Sequence, residues 1–246
     1  MKISGSPETV RYIGFEQIEK TGIANAGFTV KWEQEWSYRL IAKEIGIEPE
    51  MTVHPIEAHT CNVKYVDASF GGNGTMTSGT LNDIDGLITD VPGLALCLIM
   101  SDCAAVYLVD TKNRCIGISH SGRSGTQANI AAETVRMMSE KFGTKPQDVV
   151  AAISPCICKD CYEVDALTGE KFAASFQKEW LGEMMSKKNG KAYLNIAAAI
   201  RLQLEEIGVK TVQMPEYCTC HNENFFSYRG GDGVESNCAW LMLNKE

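Results

Sequence analysis

Three apolar, β-branched runs crowd together between residues 94 and 119, and they restrict the fold more than any other stretch of the chain. Residues 94–100, 104–109 and 115–119 are separated by short polar punctuation, the pattern of strands near the middle of a covered sheet. The last two are predicted to form a hairpin over residues 111–114. If Asp110 faces Cys115, the register sets Ala105 opposite His120 and leaves Cys103 one diagonal step away on the same face. Diagonal neighbours on one face of a sheet lie roughly 7–8 Å apart at the backbone, near enough for a thiolate and an imidazole to converge on one ion. A turn of two or four residues preserves this relation, whereas a slip of one residue sends the two side chains to opposite faces. Cys103 and His120 are therefore expected together at the open end of the hairpin. The turns beside them are rich in Ser and Gly, a setting in which sites are commonly built.

The composition suits one large α/β or α+β domain, or two closely packed halves, of which one domain is favoured. The 246 residues, 44% hydrophobic and 22% charged, can bury a sizeable core. A net charge of −8 and a pI near 5.1, with no basic run, argue against a nucleic acid or an anionic membrane as partner. No stretch reaches 18 uncharged apolar residues and residues 1–10 carry no hydrophobic signal core, so a cytoplasmic location is expected. Ten cysteines without a signal peptide read as reduced thiols or metal ligands rather than as a disulfide framework.

Taken in order, residues 11–19 are predicted as a strand or short edge segment, and residues 23–30 as a small-residue strand entering the core. Residues 36–45 have helical spacing, with Gly46 as the stop. Residues 51–66 read as extended, with two strands, and residues 69–78, rich in Gly and Ser, as a mobile turn. A helix is predicted over residues 125–142, with Thr126 as N-cap and Gly143 after its end, burying Ile130, Thr134, Met137 and Met138. Beyond it come a strand at residues 148–153, a cysteine-rich turn at 155–161, helices at 167–182 and 195–207, a strand at 209–214 and one final strand.

The segments EAHTCNVKYVD, DGLITDVPGLALCLIMSDCAAVYLVD, GISHSGRSG, PCICKDCYEV, LNIAAAIRLQLEEIGV and CTCHNENFFSYRGGDG follow one another from about residue 58 to residue 233. In them the chain resembles the laccase-domain, or multicopper polyphenol oxidoreductase, family, whose members are regarded as purine nucleoside phosphorylases that also deaminate adenosine. The Asp-Cys and Ser-His-Ser-Gly segments carry most of the specificity. The resemblance implies a layered α/β fold of helices and mixed sheets, in one domain over residues 1–246 with a divergent segment at 1–50. It also implies a zinc site of His59, Cys103 and His120, which copper could occupy in vitro. Three protein ligands and a vacant fourth position are the pattern of a catalytic zinc. Such an ion can lower the pKa of bound water and polarise a purine. Asp102, preceding a ligand on the same turn, is a candidate for supporting that ligand or transferring a proton. The implied partners are a purine nucleoside and phosphate, bound by a monomer or small homo-oligomer.

Two departures from the family bear on the substrate. Where the family has an Arg followed by a glycine loop near the N-terminus, this chain has Lys31, which keeps the charge but not the bidentate fork that suits phosphate. Where the family has Trp-Arg after its His motif, this chain has Arg123-Ser124. Arg229 matches the family, and Phe225, Phe226 or Tyr228 are candidates to stack on a base, although adjacent Phe residues are more often core.

Plainer readings compete with each assignment. A cysteine such as Cys103 in an apolar strand context is ordinarily a small buried side chain, His120 can be a hydrogen-bonded structural histidine, and Asp83, Asp85 and Asp90 suit turns and caps. Cys156, Cys158, Cys161, Cys218 and Cys220 form two tight groups able to build a second zinc or an iron–sulfur site, but their spacing dictates no fourth partner. Neither His54 nor His221 is singled out. Two other functions stay open: a thiol hydrolase or amidase with Cys103 as nucleophile and His120 as its base, and a non-catalytic or redox metal protein. Four histidines are too few for a true multicopper oxidase.

Overall fold

The hairpin forms in the predicted register, with Asp110 opposite Cys115 and Ala105 opposite His120. Its turn is held by the fully buried Asp110, whose carboxylate accepts from the backbone N–H groups of Lys112 and Asn113 and from Asn113 Nδ2. The computed structural model describes residues 2–6, 8–31 and 35–245.

In chain order the first elements are β1 (Tyr12–Ile13), α1 (Glu16–Glu19), β2 (Ala24–Thr29), α2 (Tyr38–Ile45), β3 (Thr52–Val53), β4 (Val63–Tyr65) and β5 (Gly86–Thr89). Next come β6 (Ala95–Met100), β7 (Ala104–Asp110), β8 (Cys115–Ser121), α3 (Arg123–Gln127), α4 (Ile130–Phe142), β9 (Val149–Ile153) and β10 (Glu163–Asp165). The last are α5 (Ala166–Ala173), α6 (Leu181–Met184), β11 (Met185–Lys188), β12 (Lys191–Leu194), α7 (Ile196–Glu206), β13 (Thr211–Gln213) and β14 (Asn237–Leu243).

The strands make a six-stranded sheet in the order β13-β9-β7-β8-β5-β4, a five-stranded sheet β1-β2-β14-β6-β3 and a small sheet β10-β12-β11. The two large sheets stack face to face. Phe28, Leu96, Leu98 and Leu241 from one meet Tyr107, Val109, Ile116 and Ile118 from the other in a single buried cluster. The far face of the six-stranded sheet packs Val106, Leu108 and Ile153 against Ala131, Val135 and Met138 of α4 and Ile196 and Ile200 of α7. On the outside of the five-stranded sheet, Cys97, Cys238 and Trp240 receive Ile41 of α2. The result is the expected layered α/β domain, with two sheets between the helical layers. Among the described residues no helix is long and apolar enough to cross a membrane.

Helix α2 begins where Ser37 accepts from the Leu40 N–H and stops at Gly46, whose φ of 70° is the left-handed conformation a glycine adopts without strain. Other boundaries depart from the pattern. Residues 11–19 divide into a two-residue strand and the short helix α1. The helix expected over residues 125–142 is two helices, broken at Asn129, which has φ 60°. Thr126 is not its N-cap, because its hydroxyl donates to the Gly122 carbonyl inside α3. Ile130, Thr134 and Met138 are buried as expected, but Met137 is only partly covered. The helix expected over residues 167–182 ends at Ala173 and resumes at Leu181. The sheet β10-β12-β11 gave no strand signal, since its charged and exposed positions interrupt any apolar alternation. Residues 69–78 form a hydrogen-bonded turn in which the Gly72 carbonyl accepts from the N–H groups of Met76 and Thr77.

Candidate active site

Alternation along the strands explains how the site assembles. Ala105, Tyr107 and Val109 on β7, Ile116 and Ile118 on β8, and Leu87 on β5 all face the space between the two large sheets. Continuing the same alternation carries Cys103, His120 and Asp85 toward that space at one end of the sheet. The β5–β8 register pairs Gly86 with Ser119, which brings Asp85 opposite His120, and the His120 N–H donates to the Asp85 carbonyl at 2.7 Å.

Asp85 is the anchor. Fully buried, its carboxylate lies 2.9 Å from His120 Nδ1 and accepts from the backbone N–H groups of Ala58, His59 and Thr60 at 3.2, 3.1 and 2.7 Å, and from the Thr60 hydroxyl at 2.7 Å. These bonds hold His59 at φ 59°, a left-handed conformation that a side chain with a Cβ rarely takes without external support. One carboxylate therefore sets the position of two imidazoles from distant parts of the chain.

The potential ligand atoms of His59, Cys103 and His120 lie within 4.8 Å of one another, and the two imidazoles meet edge to face with centroids 4.8 Å apart. Because Nδ1 of His120 is engaged by Asp85, Nε2 is the atom it has free for a ligand. Gly122 keeps the space open: a Cβ there would lie 2.6 Å from Cys103 Sγ and 3.3 Å from His59 Cδ2. Two imidazoles and one thiol form a donor set that fits a borderline-soft divalent metal.

Charge in this cluster is strongly redistributed. Burial opposes ionisation of Cys103, but hydrogen bonds from His120 and His59 outweigh it and bring the thiol down to about 7. Burial likewise opposes a charged His120, yet Asp85 and then Cys103 push it up to about 10. The hydrogen bond with Cys103 raises His59. Asp85 is held below the usual carboxylate range, against its own burial, by His120, Thr60 and Ala58. The sulfur thus has access to the thiolate form, which is both the nucleophile and the metal ligand, close to neutrality.

The trio opens onto a cleft of about 520 Å³, whose lining also includes Ile99, Asp102, Gly122, Arg123, Ile157, Tyr162, Tyr228 and Arg229. Asp102 uses Oδ1 to accept from the Thr219 and Ser227 hydroxyls, both at 2.7 Å, and Oδ2 to accept from the Arg229 N–H at 2.8 Å. It thereby ties the Cys103 turn to the segment that carries Arg229. The Arg229 guanidinium donates to the carbonyls of Cys161 and Glu163, each at 3.1 Å, and lies 5.6 Å from the centre of the Tyr162 ring. Arg123 donates to Gln127 Oε1 at 3.2 Å.

Of the other residues singled out from sequence, Lys31 is ion-paired with Asp232 at 2.7 Å and sits over the Phe226 ring, outside the cleft lining. Phe226 lines an adjoining groove with Trp36 and Val234, and Phe225 is core. Asp85, Gly122 and Tyr162 are site residues that the sequence reading does not single out. For Asp85 the signal existed: once β5 is paired with β8, the alternation that located His120 locates its carboxylate too.

A family model described as multi-copper polyphenol oxidoreductase laccase matches residues 24–242. The chain belongs to this family. Similar proteins include a purine nucleoside phosphorylase of Bacteroides thetaiotaomicron, 33% identical over 189 residues that cover 74% of this chain and 68% of that one. Another is adenosine deaminase RL5 from an unknown prokaryotic organism, 29% identical over 197 residues, or 77% and 73% of the two chains. The crystal structure of YlmD from Geobacillus stearothermophilus has the same fold, with a TM-score of 0.87, 24% identity and 99% of each chain covered.

Proposed function

We propose that the protein is a zinc-dependent purine nucleoside phosphorylase that acts on adenosine and inosine and also deaminates adenosine. The observation that carries this reading is the convergence of His59, Cys103 and His120 on one cleft with two arginines in its wall. Its volume falls in the roughly 300–1,000 Å³ range of small-molecule sites, and the names of the relatives point the same way. His59, Cys103 and His120 would hold the ion, which when bound supplies Lewis acidity toward the purine and toward water.

The chain's own groups do the rest. Asp85 keeps the proton of His120 on Nδ1 and so keeps Nε2 available. Arg123 and Arg229 supply positive charge for the phosphate, which attacks the sugar carbon as the bond to the purine nitrogen breaks. Tyr162 and Tyr228 offer aromatic faces to the base. Asp102 positions Arg229 through the backbone N–H of that residue. A cytoplasmic location belongs to the same proposal, in keeping with ten cysteines that are all free.

The test is release of free base from adenosine and inosine, with and without phosphate, by metal-loaded protein and by Cys103→Ala. Phosphate-dependent base and pentose 1-phosphate are expected from the first protein and neither from the second. Equal release from both would overturn the assignment. A second reading is favoured by the arrangement of three side chains: Cys103, His120 and Asp85 have the order of nucleophile, base and orienting carboxylate. It requires activity that survives chelation, together with covalent labelling of Cys103 by a substrate-like ester or amide.

A further inference from the structure

The cysteine-rich turns flagged in the sequence close on one another away from the His59 cluster. Cys158 and Cys161 lie on one turn, in which the N–H groups of Cys161 and Tyr162 both donate to the Cys158 carbonyl at 3.1 and 3.0 Å. Cys218 and His221 lie on another. The two turns are joined by an isolated parallel β-bridge between the backbones of Cys156 and Cys218, with the Thr219 N–H donating to the Cys156 carbonyl at 3.1 Å. The Cys158 N–H donates to Cys218 Sγ at 3.2 Å, a bond that stabilises a thiolate. His221, which spacing alone did not single out, supplies the missing fourth group. Its Nδ1 is 3.3 Å from Cys161 Sγ and 3.9 Å from Cys158 Sγ, and the four ligand atoms lie within 4.8 Å of one another.

We propose that Cys158, Cys161, Cys218 and His221 bind a second zinc ion, independent of any metal at His59, Cys103 and His120. Sulfur and nitrogen ligands around one tetrahedral zinc lie roughly 3.5–3.8 Å from each other, and the observed spacings bracket that value. Three thiols and one imidazole in two pairs, each with two intervening residues, match the composition and spacing of closed structural zinc sites. An iron–sulfur cluster fits less well, because it spreads its thiolates over several irons. Cys156 is packed into the helical core and Cys220 falls outside the four-atom group, so neither is a ligand.

The site clamps two turns that build one wall of the cleft. Cys161 gives its carbonyl to Arg229 and is followed by Tyr162, while Thr219, next to Cys218, hydrogen-bonds Asp102. Four protein ligands leave no open position, so the ion braces that wall without taking part in chemistry.

The test is made in Cys103→Ala protein, where a metal at the other cluster cannot be mistaken for this one. Zinc analysis should give one ion per chain, X-ray absorption should show three sulfurs and one nitrogen, and cobalt should give intense tetrahedral thiolate spectra. Adding His221→Ala, an exposed position, should lower zinc affinity beyond the roughly 10–100-fold that loss of an outer hydrogen bond costs, and His221→Cys should restore it. Metal-free Cys103→Ala protein that takes up neither zinc nor cobalt would overturn the proposal. So would a disulfide between these cysteines in freshly isolated protein, or a brown iron–sulfur chromophore.

Discussion

Replacing Asp85 by Asn tests whether one carboxylate holds the candidate site together. The amide has the same shape but accepts on one atom only. If its oxygen takes the Oδ2 position, the N–H of His59 and Nδ1 of His120 face an NH₂ group; if it takes Oδ1, the N–H groups of Ala58 and Thr60 do. Either way two donors lose their acceptor, at up to about 1–3 kcal/mol each because the backbone bonds are only partly buried, giving a destabilisation of at most roughly 2–6 kcal/mol. That is a large part of the roughly 5–15 kcal/mol that stabilises a typical domain.

The pH dependence follows from the two shifts. Asp85 has a lowered pKa, so its contribution is present above the ordinary carboxylate value and lost as pH falls through the folded one. His120 is raised to about 10, so its contribution is full below the ordinary histidine value of about 6.5 and lost as pH rises toward 10. In metal-free protein the gap between wild type and Asp85→Asn should therefore be widest near pH 5–6 and narrow on both sides. Urea unfolding followed by circular dichroism at several pH values measures it. A variant within about 0.5 kcal/mol of wild type at every pH would refute the reasoning, because losses that small belong to ordinary surface substitutions.

Further expectations concern the neighbours of this carboxylate. Gly122→Ala should abolish metal binding at the His59 cluster while the chain stays folded, since its Cβ would lie 2.6 Å from Cys103 Sγ; retained stoichiometry by metal analysis would contradict it. Arg229→Lys keeps the charge but loses the guanidinium nitrogens left over once Nη1 has donated to the carbonyls of Cys161 and Glu163, so it should raise the KM for phosphate more than it lowers kcat, as read from initial rates. Gly27→Ala should destabilise the protein by at least about 1–3 kcal/mol in urea titrations, because its Cβ would meet the buried Trp240 ring at 2.1 Å.

How much was legible in the sequence depends on the distance over which a signal acts. The register of β7 and β8 followed from a short turn and two apolar runs, and with it the meeting of Cys103 and His120. The position of His59 did not, because it rests on bonds from Asp85 across 26 residues and on a backbone conformation that no letter announces. The His motif GISHSGRSG suggested its own role, but Asp85 looked like one of three aspartates in a turn. His221 is silent in the sequence for a similar reason: it joins Cys158 and Cys161 only after two loops 60 residues apart are paired. Helix boundaries failed where tertiary contacts replaced local caps, as at Asn129, and β10 to β12 failed because a small, half-exposed sheet has no hydrophobic rhythm to read.

The chain leaves one large sheet at Met100 and enters the other at Ala104, so Cys103 belongs to the short span that carries it from slab to slab. An ion gripping that sulfur together with His120 would pin the end of this span to β8. A single residue inserted between Cys103 and Ala105 would turn the sulfur away, whereas two residues added at the opposite tip, between Asp110 and Cys115, would leave the grip intact. Natural insertions in this lineage should therefore collect at the tip and avoid the span.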